Sequence, residues 1–332
     1  MADPSKGHFS LVFDAKDDVT GQRIILKFLD PDKMNDPVWL DYFRREGEIG
    51  MALRGHPSIV QLLAPPAVHP IRFTLNTSQV VTFPLQFLVT EKAHRDFEAY
   101  LYRRRTSPVL WRRLEIVRDV VKGVARLHRS RYCHRDLKPD NIFLYAGGQA
   151  KLGDLGLCRS LDDPALLRSN YSGPVGHVRY AAPELFAGAG NQKELYLRAD
   201  WFAVGSILFE SIAGVNLYVT IGLQQVIDLS VIFGQYGSLE RFERVVGDIA
   251  GSYPIPLLED YTPVELLARH SQETLTAVDG LIRSLCHFDH RRRLCNFDRI
   301  LQRLDVALAR ARLDERLRNQ RLSMATGLVK VY

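Results

Sequence analysis

Apolar and polar positions alternate through Phe9-Ser10-Leu11-Val12-Phe13, a turn signal follows at Thr20-Gly21, and a second apolar-rich run occupies residues 23–29. This predicts a β-hairpin. Across 37–54 the period lengthens, because Leu40, Phe43, Ile49 and Leu53 recur at helical spacing. Strand-like runs follow at 59–63, 71–75 and 85–90, so the first hundred residues read as strands with one helix. From residue 108 the pattern changes. Leu110, Leu114, Val117, Val121, Val124 and Leu127 step by three and four, which predicts a helix with one buried stripe and with Arg112, Arg113 and Arg126 mostly off it. Further helical periodicity at 267–285 and 300–317 makes the second part mainly α. The apolar stretch 201–227 is interrupted by Glu210 and weakened by Gln224 and Gln225. A carboxylate in mid-span is expensive in a bilayer, so the stretch reads as a helix buried in a large domain and not as a membrane span.

Composition changes this picture little. The chain has 332 residues, 46% hydrophobic and 25% charged, which excludes collagen-like, low-complexity and disordered classes. That length suits one large domain or two lobes. With no long linker visible, the two parts are expected to join through a short connection near residues 92–95. The net charge of +6 is local: residues 101–131 hold ten Lys or Arg against Glu115 and Asp119, so the remainder sums to −2. A general nucleic-acid binder is not implied. The off-stripe arginines read as a solvated face, with a docking surface for an acidic partner as the alternative. Cys133, Cys158, Cys286 and Cys295 form no close pairs with histidines as zinc requires, so reduced, packed thiols are expected. The N-terminus has no charged n-region followed by an apolar h-region, and a cytoplasmic protein is expected.

The densest chemical signal is His134-Arg135-Asp136-Leu137-Lys138-Pro139-Asp140-Asn141, followed by Asp154-Leu155-Gly156 and by Ala182-Pro183-Glu184. In order and spacing this set resembles the eukaryotic-type serine/threonine protein kinase family, over about residues 5–293. The resemblance implies an α+β, bilobal kinase-like fold, with a small strand-rich lobe over 1–93, a larger helical lobe over 94–302, and a basic helical extension and tail over 303–332. It also implies Mg²⁺ and ATP. Lys27 matches the strand lysine that holds the α and β phosphates, and Glu46 matches its helix partner, with Glu48 as the fallback. Gly7 and Val12 belong to the phosphate-covering loop and the strand after it. Thr90 matches the gatekeeper, Glu91 offers a backbone carbonyl and Ala93 a backbone N–H to adenine, and Phe143 lies beneath the base. Asn141 and Asp154 match the Mg²⁺ ligands. Asp136 would orient the attacking hydroxyl of a protein substrate, while Lys138 neutralises the γ-phosphate. Asp200 would brace the catalytic loop, and Arg293 would pair with Glu184.

These residue types suit phosphoryl transfer, which is largely positioning and electrostatic stabilisation of charge spread over phosphate oxygens. Mg²⁺ needs few protein ligands and prefers hard oxygens. Arg135, beside the catalytic aspartate, resembles the arginine of kinases ordered by phosphorylation, and Ser172 or a neighbour such as Ser169 or Tyr171 is the expected site. The pattern departs from the family in several places. The phosphate loop keeps Gly7 but has Ser5 and Ser10 at the other glycine positions, and the chain begins there, with almost no strand before it. Ile25 and Phe143 narrow the adenine slot, His177 replaces a threonine, and Leu155 replaces a phenylalanine. The function expected is Mg-ATP-dependent transfer to serine or threonine hydroxyls of proteins. The alternative is a pseudokinase acting as a binding or scaffolding module with weak or no turnover.

Overall fold

The structure, a computed structural model, describes residues 5–6, 10–74, 79–102, 109–162, 176–187, 193–223 and 226–328. The N-terminal lobe is a five-stranded antiparallel sheet in the order β1-β2-β3-β5-β4. Its strands are β1 (Ser5–Lys6), β2 (Ser10–Lys16), β3 (Arg23–Leu29), β4 (Ala67–Thr74) and β5 (Val80–Glu91). Val12 faces Lys27 directly across β2 and β3, and Ile25 faces Thr90 across β3 and β5. Side chains two apart on a strand share a face, so Ile25 and Lys27 point the same way, toward the cleft.

Helix α1 (Pro37–Ala52) lies against this sheet; Asp36 caps it by accepting from Val38 N at 2.8 Å, and Pro37 starts its first turn. Its glycines are spatial requirements. A Cβ on Gly47 would stand 2.4 Å from Pro66 Cγ, and one on Gly50 would stand 2.7 Å from Leu62 Cδ1. Each costs about 1 kcal/mol of helix propensity relative to alanine, offset by the close seating of the helix. The run at 59–63 is not a regular strand. It makes isolated bridges from Ile59 to Leu152 and from Leu62 to Thr90, because it crosses from one lobe to the other and pairs with a different strand at each end.

The C-terminal lobe begins with β6 (Arg95–Asp96), α2 (Phe97–Tyr102) and α3 (Leu110–Arg129). The short strands β7 (Tyr132–Cys133), β8 (Ile142–Leu144), β9 (Ala150–Leu152) and β10 (Arg159–Ser160) form two small sheets, ordered β6-β8-β9 and β10-β7. Helices α4 (Pro183–Phe186), α5 (Lys193–Ala213), α6 (Leu217–Thr220), α7 (Val226–Gly234), α8 (Leu239–Ser252), α9 (Leu258–Tyr261), α10 (Val264–Leu267), α11 (Gln272–Leu285) and α12 (Phe297–Leu328) complete it. The apolar stretch 201–227 therefore splits into α5, a turn at Gly214 with φ +72°, and shorter helices. No helix of the described residues is long and apolar enough to cross a membrane. Helix α12 is continuous across residue 303, where the basic extension was expected to start.

All six apolar residues of the α3 stripe are buried. Arg113 corrects the expected solvated face: it is 5% exposed, and its guanidinium donates to the carbonyls of Ser211 and Ile212 at the end of α5. Orphan carbonyls at a helix C-terminus attract such a cation, and burial lowers Arg113 to a pKa of about 10. Arg112, also expected to face solvent, is half-buried and pairs with Glu115 and Gly148 O, whereas Arg126 is exposed as expected.

Candidate active site

Helix α5 sets the loop over 134–141. Asp200, 2% exposed, accepts from His134 N at 2.8 Å, from Arg135 N at 3.0 Å and from His128 Nε2 at 2.9 Å. Arg135 has φ +70°. A non-glycine residue in that region costs on the order of 1–3 kcal/mol, and the two N–H bonds to the Asp200 carboxylate hold it there. The loop then delivers Asp136 with a constrained carboxylate. Oδ1 accepts from His177 N at 2.7 Å, Oδ2 accepts from Asn141 Nδ2 at 3.0 Å, and Lys138 Nζ stands 3.5 Å from Oδ2. Asn141 Nδ2 also donates to Asp136 O at 2.8 Å. The amide of Asn141 is thereby oriented with its nitrogen on Asp136 and its oxygen left as an acceptor.

Opposite the loop, Lys27 Nζ donates to both carboxylate oxygens of Glu46, at 2.9 and 2.7 Å, and to Asp154 Oδ1 at 3.0 Å. Glu48, the fallback partner, is exposed and pairs with Arg44 at 3.7 Å. Burial alone would lower the pKa of Lys27, but the carboxylates of Asp154 and Glu46 overcome it and hold the ammonium well above its ordinary value. Burial raises Glu46, with Lys27 opposing. At Asp154 burial also pushes upward, yet the attraction of Lys27 wins and the carboxyl titrates below the usual range. Asp154 itself has φ +54°.

Val12, Lys27, Glu46, Glu91, Ala93, Asn141, Phe143 and Asp154 all line one cavity of about 370 Å³ between the lobes. Gly7 lies outside the described residues, as do Ser169, Tyr171 and Ser172. Ser10 and Ile25 also line the cavity. Asp136 and Lys138 stand beside it through Asn141. Two hard oxygen groups, the Asp154 carboxylate and the Asn141 amide oxygen, meet the needs of Mg²⁺, which takes its remaining ligands from water and phosphate.

Sequence reasoning missed Val60, Arg95, Tyr145, Lys151 and Gly153. Lys151 is 8% exposed and pairs with Glu91 at 2.7 and 2.8 Å, while Gln61 N donates to the same carboxylate at 2.8 Å. The side chain of Glu91 thus ties β9 and the 59–63 crossing segment to the connection between the lobes. The only signal in sequence was a lysine flanked by Ala150 and Leu152, three residues before Asp154. His177 meets Asp136 through its main chain. Its backbone N–H, and not its imidazole, reaches Asp136, because Gly176 at φ +91° brings the chain hard against Arg135 O; the ring Nδ1 instead accepts from Arg179 N.

Glu184 and Arg293 form a fully buried pair, with Arg293 NH1 donating to Oε1 at 2.5 Å and NH2 to Oε2 at 2.9 Å. His287 O and Arg198 O take further bonds from the same guanidinium. The donors of Arg293 are therefore matched by acceptors, as a buried charge requires.

The chain is similar to two serine/threonine-protein kinases of Arabidopsis thaliana, AtPK1/AtPK6 and AtPK2/AtPK19, each 29% identical over 212 residues, or 63% of this chain and 40% of the relative. It is also similar to the serine/threonine-protein kinase SSN3 of Phaeosphaeria nodorum, 32% identical over 215 residues, covering 62% of this chain and 44% of that protein. The matched region thus spans less than half the length of these relatives. A family model described as the protein kinase domain matches residues 5–303, and with the two-lobed fold and the interlobe cavity on the page, the chain belongs to the protein kinase domain family.

Proposed function

We propose that this protein transfers the γ-phosphoryl group of ATP to serine or threonine hydroxyls of protein substrates in the cytoplasm. The observation that carries the reading is convergence: Lys27, held by Glu46, and Asp154 meet Asn141 in one cavity, and Asn141 is bonded to Asp136. Lys27 would hold phosphate oxygens of the nucleotide. Asp136 would accept the hydrogen bond of the attacking hydroxyl and orient it, since its carboxylate is fixed by His177 N and Asn141 Nδ2 and is not free to rotate. Lys138, 3.5 Å from that carboxylate, would offset charge on the transferring group. Asp154 and Asn141 would hold Mg²⁺, which when bound neutralises phosphate charge. Arg135 has no carboxylate partner among the described residues and lies over the Tyr196 ring at 5.4 Å, which suits a later phosphate partner.

A second reading, a binding module without turnover, rests on Ser10 at a phosphate-loop position that usually needs glycine. Incubation of the full chain with labelled ATP and Mg²⁺, beside Asp154→Ala, separates the two. Transfer to itself or to basic protein substrates above that control supports phosphoryl transfer. Label no greater than in the control supports the binding module.

A further inference from the structure

The interlobe cavity is closed from the sheet side by Val12 and Ile25 and from the β8 side by Phe143. Behind Phe143 stands Gly153. Its φ is not positive, so the backbone does not call for glycine there; the space does. A Cβ at 153 would lie 2.7 and 2.9 Å from Cε2 and Cδ2 of Phe143, and 2.9 Å from Val60 Cγ2. Carbon atoms pack at roughly 3.5–4.0 Å, so something must move. The three contacts belong to two residues, the Phe143 ring and Val60. Val60 N donates to Leu152 O at 2.8 Å, and Gly153 N donates to Asn141 O at 3.0 Å, so the main chain is held at both positions. The Phe143 ring is the remaining mobile part, and its open side is the cavity.

We infer that Phe143 and Gly153 form a coupled pair that sets the thickness of the slot. Glycine lets the ring lie back, and the gap left between the ring and Ile25 takes a flat heterocycle face-on. A larger residue at 153 tilts the ring forward and closes the gap. The ligand class selected is a planar purine-like base, and the pair is specificity-determining without touching phosphate. This inference rests on reading the cavity as a nucleotide site.

The test is a double-mutant cycle on the full chain, with Gly153→Ala, Phe143→Leu and the double variant. Two readouts are needed: the dissociation constant of a fluorescent ATP analogue, and the thermal midpoint without ligand. Gly153→Ala should weaken binding about tenfold, and in the Phe143→Leu background the same change should cost less than about twofold. Equal losses in both backgrounds overturn the coupling. If wild type binds no nucleotide, the nucleotide reading fails by itself. The pair is then judged on the thermal midpoint, which Gly153→Ala should lower only while Phe143 is present; equal lowering overturns it. If Gly153→Ala does not fold, folding of the double variant supports the inference and its failure to fold overturns it.

Discussion

The backbone N–H of His177 donates to Oδ1 of Asp136 at 2.7 Å, so the tie between the segment starting at Gly176 and the Asp136 carboxylate does not depend on the side chain at 177. The dependence falls on the residue before it. A Cβ on Gly176 would stand 2.1 Å from Arg135 O, at a φ of +91° that side chains rarely adopt. His177→Ala should therefore keep kcat within about threefold, while Gly176→Ala should lower it by about tenfold or more through strain of about 1–3 kcal/mol and the clash. Steady-state kinetics on the two folded variants decides this. A larger loss for His177→Ala than for Gly176→Ala would contradict the backbone tie.

Lys27 and Asp136 should separate nucleotide binding from turnover. Lys27→Met removes the cation shared by Glu46 and Asp154 and leaves their two carboxylates facing each other, so ATP affinity should fall. Asp136→Asn keeps the size and much of the bonding of the loop, so affinity should hold within about twofold while kcat drops about 10²–10⁴-fold, the range for a general base. Calorimetric titration with ATP alongside kinetics checks both. Equal loss of affinity in the two variants would refute the assigned roles.

Arg293 is a structural cation. Arg293→Leu leaves Glu184 charged and buried without its partner, and removing one member of a buried pair costs about 3–5 kcal/mol. Urea denaturation should show that loss. A change below 1 kcal/mol, about the level of an exposed pair, would mean that the guanidinium contributes no more than a surface one.

Acid should weaken the fold before the carboxylates titrate. The side chain of His270 is fully buried, with Asp314 Oδ2 3.6 Å from Nδ1. Burial lowers its pKa below the ordinary 6.5 despite Asp314, and burial does the same to His56, His177 and His287. A depressed histidine is neutral in the folded state while the unfolded chain takes up the proton. Its contribution is therefore complete above pH 6.5 and is lost as pH falls below it, at up to about 1.4 kcal/mol per pH unit for each proton. Denaturation midpoints at pH 7.5, 6.5 and 5.5 should decline, and His270→Gln should flatten the decline. An unchanged slope in that variant would remove His270 from the account.

Much of the site was legible because its residues sit in short contiguous motifs. Asp136, Lys138 and Asn141 lie within six positions, and a turn of that length brings them together wherever it is placed. Glu46 was found by helical phase, since Ile49 and Leu53 had to point inward. Val60, Lys151 and Gly153 were not found, because each acts through a neighbour from a distant segment. Arg113 was misplaced for the same reason: a stripe on one helix tells which face is apolar, but not that the end of α5 brings bare carbonyls to the opposite side.

By itself the sequence determined a strand-rich first part and a helical second part, since hydrophobic periodicity is a local property of the chain, and it carried the short motifs whose resemblance to protein kinases implies two lobes and groups able to hold phosphate and Mg²⁺. Tertiary structure alone decided that Arg113 is buried on the end of α5, that the backbone of 177 and not its ring holds Asp136, and that a side chain at 153 would meet the Phe143 ring. These outcomes turn on distances of a few tenths of an ångström between segments far apart in sequence. Local pattern carries no information about such distances, because they are fixed only when the helices and sheets pack.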